Sequence, residues 1–268
     1  MLKSTKRKYI ILLTIVMTIL LLVFISLRYI LYNSTFKPHN TENIDYTNIN
    51  QDYFTTLIGN IIDVVYQKNT SKDYVIIYFH GNSGRAKSTI DYFKKNKYPF
   101  VSMAYPGYHG SSGKPNVKSI NNSVSMLMHF IKQHFSENER KKIYVFGHSL
   151  GSQTALYFSS IYHNEITDII IVNGFTSIQQ ICEYSLKKYH IQNFCFTAKD
   201  YFNGLAYIED IHLPLYHQFH LFNDNVIPYD AGLQLYHSIN ANNKNFTTLK
   251  NGTHHNFPHD DVFKVIKN

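Results

Sequence analysis

The sequence predicts one mostly parallel, doubly wound α/β domain behind a single membrane-spanning helix, and three observations carry that expectation. Short continuous apolar runs such as YVIIYF, KIYVF and DIIIV recur along the chain, as strands covered on both faces of a parallel sheet should read. Stretches of helical period separate them, and such alternation is the mark of a doubly wound sheet. Ahead of both, residues 9–27 form a run of 19 residues without a charge.

The elements follow in order. About 20 apolar residues at about 1.5 Å each cross a hydrocarbon core of about 30 Å, so residues 9–32 are assigned as a transmembrane segment. A cleaved signal peptide has an apolar region of about 7–15 residues ending at a small-x-small site. The flank here, Ser26-Leu27-Arg28-Tyr29, is a poor site, and an uncleaved signal-anchor is expected. Lys3, Lys6, Arg7 and Lys8 in the tail 1–8 favour a single-pass protein with its N-terminus in the cytoplasm and the rest outside the cytosol. Residues 33–54 are polar and rich in asparagine, and read as a tether. The domain proper is expected over 55–268. Its strands are assigned at 61–66, 74–79, 100–105, 143–146, 169–172, 215–221 and 246–249, with helices near 86–95, 120–134, 153–162, 229–238 and 260–266. The long aromatic stretch 174–211 is weakly periodic and reads as a small lid over the C-terminal edge of the sheet. Its Cys182 and Cys195 fit a disulfide outside the cytosol, or equally two buried thiols.

The formal net charge of +8 is concentrated at one end. All six basic residues up to Lys37 precede the first acidic residue, Glu42, and the remainder carries 20 basic against 18 acidic residues. A nucleic-acid binder keeps its basic excess on the folded domain, so no nucleic-acid partner is expected.

The sharpest chemical signal is Gly147-His148-Ser149-Leu150-Gly151, set between the run KIYVF and a helical pattern. In a strand–turn–helix setting, G-x-S-x-G lifts a serine hydroxyl above the sheet edge beside a helix N-terminus. Such a serine needs a base to take its proton and a carboxylate to orient that base. Asp224 follows the run LYHQFHLF, and the segment Asn251-Gly252-Thr253-His254-His255-Asn256 follows the last strand. The expected triad is Ser149, Asp224 and His255, with His254 as the alternative base. His80-Gly81-Asn82-Ser83-Gly84 follows the run YVIIYF, and its glycines let backbone N–H groups face a cleft. The amides of Asn82 and Leu150 are the candidate oxyanion donors. His255 and Asp260 also show an H-x4-D spacing, in which Asp260 reads as a helix N-cap. His254, His255, His259 and Asp260 cluster without H-E-x-x-H or C-x-x-C, and neither a Walker loop nor a dinucleotide-binding glycine motif is present. No metal and no cofactor are expected.

Taken together, these motifs resemble the α/β-hydrolase superfamily, particularly its small membrane-anchored α/β-hydrolase-domain proteins. The segment 80–84 is similar to that branch's HGN-[AS]-G loop. The segment Tyr105-Pro106-Gly107-Tyr108-His109-Gly110-Ser111-Ser112-Gly113-Lys114-Pro115 resembles its Y-P-G-Y-G-x-S-x-G-x-P loop, with His109 in place of a glycine. The segment 220–228 resembles H-G-x-x-D-x-x-V-P, with Leu221 and Ile227 as departures, and Asn173 to Ser177 is similar to the strand-to-lid segment. The resemblance covers roughly 55–268. Placing Gly252 at the first glycine of the family's G-x-x-H-N pattern is what selects His255. The resemblance implies a membrane-anchored serine hydrolase that cleaves carboxylic esters or thioesters of acyl or lipid-like substrates through an acyl-enzyme. A peptidase on the same fold, or an inactive membrane-anchored scaffold, are the alternatives.

Overall fold

Alternation of side chains along each strand sorts the sheet between two apolar cores. The computed structural model describes residues 2–38, 43–199, 201–209 and 211–266. Its strands are β1 (Asn50–Thr55), β2 (Ile61–Gln67), β3 (Tyr74–Phe79), β4 (Phe100–Met103), β5 (Lys142–His148), β6 (Asp168–Val172), β7 (Leu213–Leu221) and β8 (Ala241–Leu249). They lie in the order β1-β2-β4-β3-β5-β6-β7-β8. The pairs β1–β2 and β2–β4 are antiparallel, and the remaining neighbours are parallel. This is the α/β-hydrolase fold that the motifs imply.

The helices are α1 (Leu2–Thr35), α2 (Lys87–Lys95), α3 (Val117–His134), α4 (Leu150–Tyr162), α5 (Ile178–Lys187), α6 (Gly204–Ile208), α7 (Tyr229–Ser238) and α8 (His259–Phe263). In the fully buried β3, Val75, Ile77 and Phe79 meet Leu127 of α3, Leu156 of α4 and Leu235 of α7 in one core. The intervening Tyr74, Ile76 and Tyr78 join Phe93 of α2 and Phe263 of α8 in the other. Period 2 in the strand thus feeds helices on both faces.

Two edges differ from the sequence reading. The segment expected as a tether over 33–54 already contains most of β1, while its residues 39–42 lie outside the described residues. β8 starts at Ala241, well before the expected 246. Both are edge strands whose residues are largely exposed or half-exposed, so pairing rather than an apolar pattern defines them. The expected lid has structure of its own: α5, a 3-10 helix over Gln192–Ala198, and α6, with positions 200 and 210 outside the described residues. Cys182 on α5 and Cys195 on the 3-10 helix form a disulfide, which closes one of the two options left open by the sequence. Asp260 sits in the first turn of α8, behind an N-cap at Pro258, so it is not the cap itself. Its carboxylate accepts the Tyr92 hydroxyl at 2.8 Å.

α1 runs for 34 residues, about 50 Å at 1.5 Å per residue. Its segment Lys6–Thr35 is long and apolar enough to cross a membrane. The last turns are packed against the domain. Phe36, just beyond, is buried, and the Lys37 N–H donates to the Asn82 carbonyl at 3.1 Å.

Candidate active site

β5 delivers Ser149 to the sheet edge. The residue has φ 54° and ψ −121°, a conformation that side-chain-bearing residues rarely adopt and that persists where surrounding structure enforces it. The flanking glycines are required by crowding. A Cβ on Gly147 would lie 2.6 Å from the Gly151 carbonyl oxygen, and one on Gly151 would collide with the Phe79 carbonyl. The chain therefore turns sharply from strand to helix with the hydroxyl at the top.

Beyond the end of β7, Asp224 folds back on its own loop, and its Oδ1 accepts the N–H groups of Val226 (2.8 Å) and Ile227 (2.9 Å). Its Oδ2 accepts a hydrogen bond from His254 Nδ1 at 2.7 Å. On the other edge of the same ring, Ser149 Oγ lies 2.9 Å from Nε2. A carboxylate only accepts, so Nδ1 carries the proton and Nε2 is left to accept from the serine hydroxyl. Burial alone would raise the Asp224 carboxyl. The His254 hydrogen bond and charge, with the two backbone N–H donors, outweigh burial and hold it below the usual carboxylate range.

The expectation that His255 stands between Ser149 and Asp224 is corrected here: His254 occupies that position. The cause is the turn over 253–256, closed by Thr253 N–H to the Asn256 carbonyl (2.9 Å) and Asn256 N–H to the Thr253 carbonyl (3.1 Å). The two central side chains diverge, with ring planes 87° apart. His254 is buried and His255 exposed. The glycine used to count positions, Gly252, has φ 114° and shapes the entry to the turn, but spacing from it does not decide which histidine faces inward.

Two buried residues that the sequence reading left without a role fix this choice. His148 Nε2 donates to the His254 carbonyl at 2.8 Å, and Asn173 Nδ2 donates to the same oxygen at 3.4 Å. Asn173 Oδ1 also accepts from Leu221 N–H at 3.0 Å, tying the end of β7 to the same node. Burial pushes the His148 imidazole down to about 3, with the neighbouring His254 adding to the effect. His148 is thus a neutral donor beneath the loop. Both residues lie inside motifs visible in the sequence, but their partners are far away along the chain.

The 80–84 loop is braced from below. The Gly81 carbonyl accepts from His80 Nδ1 (2.7 Å) and Gly84 N–H (3.2 Å). The Asn82 carbonyl accepts from the Tyr108 hydroxyl (2.9 Å), and the His80 carbonyl from the Tyr105 hydroxyl (2.8 Å). In a trans peptide the N–H points opposite to the preceding carbonyl, so pulling down the Gly81 oxygen turns the Asn82 N–H the other way. Likewise the Ser149 carbonyl accepts from Ser152 N–H at 2.9 Å, directing the Leu150 N–H back out of the start of α4. His109, where the resembled loop has glycine, sits at φ 47°, and its Nε2 accepts the Arg85 N–H at 2.9 Å. Arg85 in turn is buried against Asp63 of β2 at 3.3 Å, which anchors the far end of the loop.

Ser149 borders two compartments of opposite character. A cavity of about 450 Å³ is walled mainly by apolar groups, among them Leu27, Leu31, Phe175, Ile178, Phe194 and Ile227, with Asn82 and Leu150 at its base. A compartment of about 190 Å³ lies between the 81–86 loop and His148, His254 and His255. A cleft of about 570 Å³ at the opposite ends of β3 and β5, beside Tyr74 and Lys142, includes none of these residues.

Residues 70–196 match the family described as serine aminopeptidase, S33. An uncharacterized protein of Acanthamoeba polyphaga mimivirus is 24% identical over 264 residues, spanning 86% of this chain and 88% of its own. An uncharacterized membrane protein of Saccharomyces cerevisiae is 27% identical over 124 residues, spanning 46% of this chain and 43% of its own. Among solved structures, an esterase from Pyrococcus furiosus superposes with a TM-score of 0.64 at 17% identity, covering 86% of this chain and 94% of that one. Strand order, the strained elbow serine and these likenesses lead to one assignment: the chain has the α/β-hydrolase fold, and its residues 70–196 are similar to a hydrolase family.

Proposed function

We propose that the protein is a membrane-anchored serine hydrolase that cleaves ester or thioester bonds of acyl substrates through Ser149, His254 and Asp224. The observation that carries this reading is the single imidazole within hydrogen-bond reach of both Ser149 Oγ and Asp224 Oδ2. Ser149 Oγ attacks the acyl carbonyl carbon while its proton passes to His254 Nε2, and Asp224 steadies the resulting imidazolium. The Asn82 and Leu150 amides receive the negative oxygen. Collapse expels the alcohol or thiol, which takes the proton from His254. A water then gives its proton to the same nitrogen, its oxygen attacks the acyl carbon, and the free acid and the serine are regenerated.

The apolar cavity favours an acyl chain over a peptide. An aminopeptidase must hold a substrate ammonium, and among the described residues neither compartment beside Ser149 is lined by an aspartate or glutamate. α1 supplies the anchor. The basic tail favours a cytoplasmic N-terminus, and the Cys182–Cys195 disulfide suits a domain outside the cytosol. A fluorophosphonate probe is expected to label the wild-type protein and not Ser149→Ala. Equal labelling of both proteins overturns the assignment.

A further inference from the structure

The wall of the acyl cavity includes part of the membrane helix itself. Leu27, Ile30, Leu31 and Ser34 of α1 line it, together with Thr35. Their spacing of three, four and seven places them on one face of a helix. This stripe begins where the uncharged run ends. Arg28 closes the run, and its guanidinium donates to the Thr197 carbonyl of the lid at 2.7 Å and lies 5.1 Å from the centre of the Tyr201 ring. The cavity therefore opens within about 10 Å of the level at which α1 leaves the apolar run, counting 1.5 Å per residue from Leu27 to Ser34.

An independent contact sets the depth of the lid. Phe196 stacks on Phe24 with ring centres 6.3 Å apart. Phe24 precedes Arg28 by four residues, about 6 Å deeper along the helix. The neighbouring Tyr189, Ile191 and Phe194 of the lid are exposed large apolar side chains. On a domain facing bulk water such a cluster would be a liability, whereas beside a membrane-depth phenylalanine it has an apolar medium to enter.

We infer that the emergent end of α1 is a specificity-determining wall of the substrate site, and that the substrate is a single-chain acyl ester taken sideways from the bilayer. The acyl chain lies along the Leu27–Leu31 face, between α1 and the lid, with its carbonyl at Ser149. The compact leaving group faces the smaller compartment beside His254. This inference rests on the serine-hydrolase reading above.

Two measurements on the full chain in phosphatidylcholine nanodiscs test it. In the first, a long-chain alkyl fluorophosphonate with a photoreactive diazirine at its chain end is attached to the wild-type protein and irradiated. Peptide mapping is expected to place the crosslink in residues 27–35 or in the facing lid helix α5. Crosslinks confined to other parts of the protein overturn the inference. In the second, kcat/KM is compared for para-nitrophenyl palmitate and butyrate, normalised to probe-labelled protein. Leu27→Trp is expected to lower the palmitate-to-butyrate ratio by about tenfold. Tyr29→Trp, on the other face of α1, is expected to keep the wild-type ratio. Identical ratios in the two variants count against the inference while leaving the triad intact. Absence of labelling in the wild type removes the serine-hydrolase reading instead, so the two failures are distinguishable.

Discussion

At the scale of single residues, the site turns on which of two adjacent histidines faces inward. The sequence made Ser149 and Asp224 legible, because strand, turn and helix patterns around them are local. It put the base one residue too far along, at His255, because counting from Gly252 says nothing about which ring the turn directs inward. What resolves it is non-local: His148 and Asn173 both hold the His254 carbonyl. His254→Ala is expected to lower kcat/KM by about 10⁴-fold or more. His255→Ala should lose about tenfold at most, because His254 already bridges both partners. Steady-state kinetics on the two variants decide the matter, and equal losses return the base to an open question. Elsewhere, His109 shows how a departure from a glycine motif is accommodated. Histidine is among the residues that tolerate positive φ, and its ring gains the Arg85 N–H.

At the scale of elements, legibility follows burial. The six buried residues of β3 and the buried runs of β5 and β6 are set by apolar residues and were readable directly. β1 and the start of β8 were not, because an edge strand carries polar residues and is defined by its neighbour. The lid was readable as an insertion but not as helices, since α5, the 3-10 helix and α6 are short and partly held by a covalent link. Loops of about this size gain roughly 3 kcal/mol from a disulfide in the chain-entropy view. Replacing Cys182 and Cys195 with serine is therefore expected to loosen the lid before the sheet. Limited proteolysis should cut the 178–211 segment faster in the double variant while the core fragment survives. An unchanged cleavage pattern argues that packing on α4 alone holds the lid.

For the whole molecule, the buried histidines make a common prediction. Burial pushes His148 down to about 3 and His109 and His259 to about 4, and also depresses His80 and His220. The unfolded chain protonates histidine near pH 6.5. Between that value and the depressed ones, the unfolded state binds more protons, so stability present above about pH 6.5 is lost as pH falls. The melting temperature is expected to drop steeply from pH 6.5 toward pH 4. A flat melting temperature across that interval would show that these imidazoles are not held neutral by the fold.

On the proposed reading of α1 as a membrane anchor, the anchor is not separate from the site. Because the Lys37 N–H reaches the Asn82 carbonyl and the Tyr108 hydroxyl, the helix ends against the very loop assigned to receive the oxyanion. With α1 in a bilayer, a mismatch between helix and hydrocarbon thickness is relieved by tilt at a modest cost per ångström. Here a tilt would pull on the catalytic loop. Turnover of one water-soluble ester in bilayers of graded lipid chain length is therefore expected to pass through a maximum, whereas a constant rate would mean that the domain is mechanically isolated from its anchor. Lipid thickness would then act as a setting for the rate, transmitted through a continuous helix.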